Sequence, residues 1–142
     1  MLTYGDVCSR ILTYAAGEKE LDVAAVSAIN KYMAPGALLA VTRGANSARL
    51  YSNSEASGEK ARVCVSEFEI TAVKAKNPIG AGDTCSAVLL YGLCAGNSPE
   101  DAFAFALAAA SASCLNIAGA HFKAADAVNL YNSIKRIPPR PL

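Results

Sequence analysis

The sequence predicts an α/β domain of three layers, with helices covering both faces of a mainly parallel sheet. Three observations lead there. A short uninterrupted apolar run, Ala37-Leu38-Leu39-Ala40-Val41, has the character of a strand buried on both faces. A segment with helical spacing precedes it, and longer apolar stretches with helix start and stop signals follow it. Helical and extended patterns therefore alternate, as in an α/β unit. At 142 residues with 53% hydrophobic composition, the chain amounts to one domain with a sizeable core.

Taken in order, Leu21 to Met33 carries apolar residues at Leu21, Ala24, Ala25, Ala28, Ile29 and Tyr32, a helical spacing that Pro35-Gly36 ends. The apolar strand Ala37–Val41 follows, and Arg49-Leu50-Tyr51 alternates as the return strand of a hairpin would. Ser52 to Lys60 is polar and reads as a surface loop. Arg62–Val65 and Glu69–Val73 are two further strand candidates. Cys85 to Cys94 is a buried helix ending near Gly96-Asn97. Ser98 is an N-cap with Pro99 at the first helical position, and that helix runs to about Asn116, with Gly119 closing it. Ala124 to Ile134 is a last amphipathic helix, and Pro138-Pro139-Arg140-Pro141 reads as a stiff exposed tail.

Composition narrows the function. Thirteen basic residues against 12 acidic ones give a net charge of +1, and no basic patch stands out, which argues against nucleic acid as the main partner. No apolar stretch free of polar residues reaches the ~18 needed to span a bilayer, and the N-terminus carries no signal-peptide pattern. The cysteines Cys8, Cys64, Cys85, Cys94 and Cys114 are odd in number, form no CxxC pair and lie mostly in apolar runs. They read as reduced thiols of a cytoplasmic protein. His121 is the lone histidine, too little for a zinc site, and reads as a solvated or rim residue.

The segment Asn77-Pro78-Ile79-Gly80-Ala81-Gly82-Asp83-Thr84 carries the most chemistry. It places a Gly-Ala-Gly turn at the start of the Cys85–Cys94 helix. Small residues there let a ligand approach the backbone, and the first N–H groups of a helix have no internal acceptor. Those groups, with the positive end of the helix dipole, make an anion site of Gly80, Ala81 and Gly82. Asp83 would repel a bound anion, so a carboxylate there suggests a general base acting on a hydroxyl that attacks phosphorus. Taken alone, the same residues also read as a capped helix start with Asp83 as the cap. A second constellation, Val41-Thr42-Arg43-Gly44-Ala45-Asn46-Ser47, follows the apolar strand and puts a hydroxyl and bare backbone at a strand end, where ligands bind in open α/β folds. A plain hairpin turn would read the same way.

Gly-Ala-Gly-Asp-Thr before an apolar helix resembles the second signature of the PfkB (ribokinase-like) carbohydrate kinases, and Thr42-Arg43-Gly44-Ala45-Asn46-Ser47 resembles their upstream nucleotide loop. The resemblance spans nearly all of residues 1–142, and only the C-terminal, nucleotide-binding and catalytic portion of the family's pattern. The N-terminal half, with its Gly-Gly signature and substrate aspartate, and the β-sheet lid are absent. It implies a truncated ribokinase-like core that phosphorylates a hydroxymethyl group of a sugar or nucleoside with ATP and Mg²⁺. Asp83 would be the base and Gly80, Ala81 and Gly82 the anion hole. Thr42, Gly44, Asn46 and Ser47 would face ATP, and Ala108 and Ala120 would lie near the adenine. Ser47 stands where the family usually has glycine. Asn77 stands where many members carry an aspartate that helps bind a monovalent cation, which puts potassium activation in doubt. Asp6 falls near the family's magnesium motif. Two other readings stay open: an ATP-binding fragment without catalysis, and an interaction module that pairs through an open sheet edge with a partner, a missing N-terminal half or a second copy.

Overall fold

The computed structural model of the chain describes residues 18–54 and 62–142. In order these form α1 (Glu18–Tyr32), β1 (Leu38–Val41), β2 (Ala48–Ser54), β3 (Arg62–Glu69), α2 (Ala81–Cys94), α3 (Pro99–Ser113), α4 (Ala124–Ser133) and β4 (Lys135–Pro141). Asp6 and Cys8 lie outside the described residues.

The helices follow their sequence signals. Gly36, at φ 77°, makes the left-handed turn after α1. Ser98 caps α3: its hydroxyl oxygen accepts the Asp101 N–H at 3.2 Å, with Pro99 next in the chain. The helix of Cys85–Cys94 begins earlier, at Ala81, so the Gly-Ala-Gly turn is partly helical.

The sheet departs from expectation. Its strands run antiparallel in the order β1-β2-β3-β4, not mainly parallel. The connection between β1 and β2 is residues 42–47, too short for the helical crossover a parallel pair needs. The apolar run at residues 37–41 is not buried on both faces: Leu39 and Val41 are buried while Leu38 and Ala40 are half-covered. Of the two strand candidates after the loop, the first extends over Arg62–Glu69, while the second, Glu69–Val73, is not a strand beyond Glu69, and residues 70–79 are irregular. The C-terminal prolines also form a strand rather than a free tail. Polyproline and extended backbones lie in the same broad β region and nearly share their ψ, and prolines are tolerated where a strand lies at a sheet edge. β4 is held at its start by Lys135 Nζ on Glu69 (3.1 Å) and at its end by Leu142 N–H donating to Val63 O (2.9 Å), which fixes its antiparallel register.

The chain divides into two compact units. The first takes in α1, β1 and parts of β2, β3 and β4. Leu21, Ala25, Ala28 and Ile29 of α1 cluster with Leu39, Val41, Tyr51, Val63 and Val65 of the strands. Within this unit the buried Asp22 accepts hydrogen bonds from Tyr51 Oη (2.9 Å) and Arg140 Nη2 (2.7 Å), so its carboxylate is paired where burial would otherwise penalise it.

The second unit, Thr42–Arg49 with Glu67–Pro138, carries α2, α3 and α4. Alanines let these helices approach closely. A Cβ on Gly92 of α2 would stand 2.9 Å from Ala102 Cβ of α3. Ala109 and Ala112 of α3 pack on Ala127 of α4, with Val88, Phe105, Phe122 and Leu130 around them. Phe68 of β3 meets Phe103 edge-on, with centroids 5.2 Å apart. Among the described residues no helix is long and apolar enough to cross a membrane.

Candidate nucleotide and phosphoryl-transfer site

The first turn of α2 is built around Gly80. This residue is the helix N-cap at φ 83°, a conformation that costs an L side chain but not glycine. A Cβ there would also lie 3.1 Å from the N and Cβ of Ala120, itself at φ 55°. Gly80 O accepts both the Thr84 N–H and the Thr84 hydroxyl, each at 2.9 Å, which tightens the turn. The Ala81 N–H donates back to Pro78 O at 3.2 Å.

Asp83 is not the cap. It occupies the third position of α2, is exposed, and has no hydrogen-bond or ion-pair partner among the described residues. An unpaired carboxylate in the first turn of a helix gains modestly from the macrodipole.

Gly82 differs from Gly80. It sits in regular helix, and a Cβ added to it would meet no atom within 4 Å. Neither backbone conformation nor packing requires a glycine there. The space its side chain would fill is open, and Gly82 lines a cleft of ≈ 280 Å³ whose lining residues all belong to the second unit. Thr42, Gly44 and Ala45 from the turn after β1 form part of its wall, and Ala81, Gly82 and Cys85 of α2 another part. The structure thus brings both motif segments to one cleft.

The remaining wall was not singled out from sequence. Leu107, Ala110, Ser111 and Cys114 project from α3 and the residue after it at helical spacing, and the irregular stretch Ile70–Val73 faces them. Thr71 is fixed by a hydrogen bond between its hydroxyl and that of Ser133 (2.9 Å). The wall is mostly apolar with a few polar groups, the character of a site for a flat, partly hydrophobic ligand. Burial pushes the Cys85 thiol up to about 11, so it is a neutral packing group and not a nucleophile.

Other anticipated residues lie off this wall. Asn46 is exposed in the turn, its N–H bonded to Arg43 O (3.1 Å), and Ser47 is half-buried beyond it. Ala108 is fully buried inside α3. Ala120 abuts Gly80 rather than lining the cleft. His121 is exposed, and its carbonyl accepts the Asn116 amide at 3.1 Å. Asn77 joins two segments: its Oδ1 accepts the Ile79 N–H (3.0 Å) and its Nδ2 donates to Ile117 O (2.8 Å). The start of α3 is anchored at Asp101, whose carboxyl is held below the usual carboxylate range by the Ser98 hydroxyl (2.7 Å) and by Arg136.

Known proteins share this fold. Phosphofructokinase-2 from Escherichia coli, in a structure with potassium, superimposes with a TM-score of 0.69 at 20% identity, over 92% of this chain and 38% of that one. Ribokinase from Thermotoga maritima gives a TM-score of 0.62 at 18% identity, over 92% of this chain and 40% of that one. A tetrameric inhibited form of the Escherichia coli enzyme matches at a TM-score of 0.64 and 19% identity, over 91% of this chain and 37% of that one. The chain therefore spans about two fifths of the length of these structures and has a truncated ribokinase-like fold. No curated protein matches it in sequence. Residues 10–123 match the pfkB family carbohydrate kinase domain, and the chain belongs to that family.

Proposed function

We propose that this chain is the nucleotide-binding and catalytic portion of an ATP-dependent kinase acting on a hydroxymethyl group of a sugar or nucleoside. The observation that carries this reading is the single cleft lined by Thr42, Gly44, Ala81 and Gly82, with an unpaired Asp83 beside it and open space where a Gly82 side chain would stand. ATP would lie along the apolar wall with its phosphates at the start of α2. The N–H groups of Gly80 and Gly82 would take up charge as it spreads over the transferring phosphoryl, whereas the Ala81 N–H is already engaged by Pro78 O. Asp83 would accept the proton of the attacking hydroxyl as its oxygen bonds to phosphorus and ADP leaves. Lys74, Lys76 and Lys123 in the neighbouring segments add positive charge that suits the phosphates.

Magnesium would offset the charge of the nucleotide's phosphates. Among the described residues no group of three or more His, Cys, Asp or Glu could hold a metal. By the family resemblance, the acceptor pocket would belong to the family's N-terminal half. Free thiols at Cys64, Cys85, Cys94 and Cys114 agree with a cytoplasmic setting. The interaction-module reading has less support. One sheet edge is β4, with Pro138, Pro139 and Pro141, and the other is the four-residue β1, both poor templates for a further strand.

Calorimetric titration with a non-hydrolysable ATP analogue tests the proposal. Saturable binding that is lost in Gly82→Arg, with the fold retained by circular dichroism, is the expected result. Undiminished binding in that variant would overturn it.

A further inference from the structure

The family resemblance implies a monovalent cation beside residue 77, and the donor set there does not fit one. The orientation of the Asn77 amide is fixed by chemistry. The Ile79 N–H can only donate, so it faces Oδ1; Ile117 O can only accept, so it faces Nδ2. The face of the amide turned toward Ile117 O is thus an N–H donor, which cannot ligate a cation. Residues 74–82 and 114–123 contain Lys74, Lys76 and Lys123 and no carboxylate, and the nearest fixed negative charge along the chain is Asp83 in the first turn of α2.

The same two segments need no ion to stay together. Lys76 N–H and Asn77 N–H both donate to Cys114 O, at 2.7 and 3.2 Å. The segments approach so closely that a Cβ on Gly119 would stand 2.9 Å from Ile79 O. The side-chain amide of Asn77 closes the far end of this seam, immediately before the turn that starts α2.

We propose that Asn77 is a positioning residue whose neutral amide takes the bridging place of a monovalent cation, so that the start of α2 is held in register without one. Its bearing on nucleotide binding rests on the function proposed above; the clamp itself does not.

Amide hydrogen exchange at residues 76 and 77 reports the seam directly, and it is measured on the full chain without nucleotide, in potassium chloride and in tetramethylammonium chloride. The native chain should exchange equally in both salts. Asn77→Asp sets a carboxylate against Ile117 O with no proton between them. Exchange in that variant should quicken roughly tenfold in tetramethylammonium, the factor of one lost hydrogen bond, and slow again in potassium, which can bridge the two oxygens. Asn77→Ala should exchange faster in both salts. Native exchange that slows severalfold in potassium, or an Asn77→Asp variant as protected as the native chain in tetramethylammonium, would overturn the proposal. ADP titrations in the two salts give a second readout, with equal affinity expected for the native chain and tighter binding in potassium counting against the clamp. Absence of ADP binding in both salts would count against the proposed function, and the exchange comparison would still decide the role of Asn77.

Discussion

Gly82→Ala separates what the fold needs from what a ligand needs. In the free chain the substitution should stabilise. The residue is the second of α2, and its new methyl group would touch nothing within 4 Å. Glycine in a helix costs about 0.5–1 kcal/mol relative to alanine, mostly through the backbone freedom lost on folding. A first-turn position takes the lower part of that range, so a gain near ~0.5 kcal/mol is expected, raising Tm by roughly 1–4 °C for a domain of this size. The ligand side has the opposite sign. A methyl group placed in a wall that phosphate oxygens approach is worth ~1–3 kcal/mol, or roughly 10–200-fold in affinity. Differential scanning fluorimetry and calorimetric titration with ADP on the same preparation read both effects. A fall in Tm of several degrees would mean the glycine serves packing. A rise in Tm with unchanged ADP affinity would mean the phosphates do not come to this turn.

Four further outcomes are expected. Asp83→Asn should shift stability by less than ~1 kcal/mol, since an exposed, unpaired carboxylate gives up only its interaction with the helix dipole. In a kinase completed with the portion its relatives carry, it should lower turnover about 10²–10⁴-fold, and unchanged turnover would remove Asp83 as the base. Tyr51→Phe, at a fully buried ring whose hydroxyl bonds the Asp22 carboxylate, should cost about 1.5–3 kcal/mol in urea unfolding, whereas a change below ~0.5 kcal/mol would show the bond contributes little. With its thiol raised to about 11, Cys85 should stay protonated at pH 8 and resist iodoacetamide in the folded chain, while exposed Cys94 reacts; mass mapping showing equal labelling would refute this. Leu90 and Tyr91 stand 63% and 76% exposed on adjacent positions of α2, so the native chain should self-associate in light scattering and Leu90→Lys with Tyr91→Glu should weaken that association; a size distribution equal in the two would rule this face out as a contact surface.

The helices were legible in the sequence because their signals are local. Ser98 and Pro99 start α3, Pro35-Gly36 stop α1, and the apolar run after Gly82 gives α2. Strand direction was not legible, because five apolar residues in a row look alike in a buried parallel strand and in a short edge strand. What decided the matter was the length of the connection at 42–47, too short for a crossover. The proline strand was hidden by the overlap of polyproline and extended backbones. Of the candidate site, the two glycine-containing turns stood out because unusual backbone leaves a compositional trace. The α3 wall left none: in a helix so rich in alanine, the face bearing Leu107, Ala110 and Ser111 contrasts little with the buried face bearing Ala108, Ala109 and Ala112. The partner of Asn77 was out of reach for a different reason. Ile117 contributes a carbonyl, and every residue has one.

The placing of β4 has a kinetic consequence. α2, α3 and α4 follow one another along the chain and pack on near neighbours, contacts that form early because little chain has to be closed. The outer edge of β3 must wait for a strand that begins at Lys135, across a sequence separation of 66 between Glu69 and its partner. Through that interval β3 presents unsatisfied backbone donors and acceptors to any other unfinished chain. Glu69, exposed at the end of the strand, is then an unpaired charge that repels a second copy of the same edge. Once β4 docks, the same carboxylate becomes the anchor for Lys135. One side chain thus guards the edge during folding and then fastens it, and its replacement by a neutral residue should show first in refolding yield, before any loss in the stability of the finished molecule.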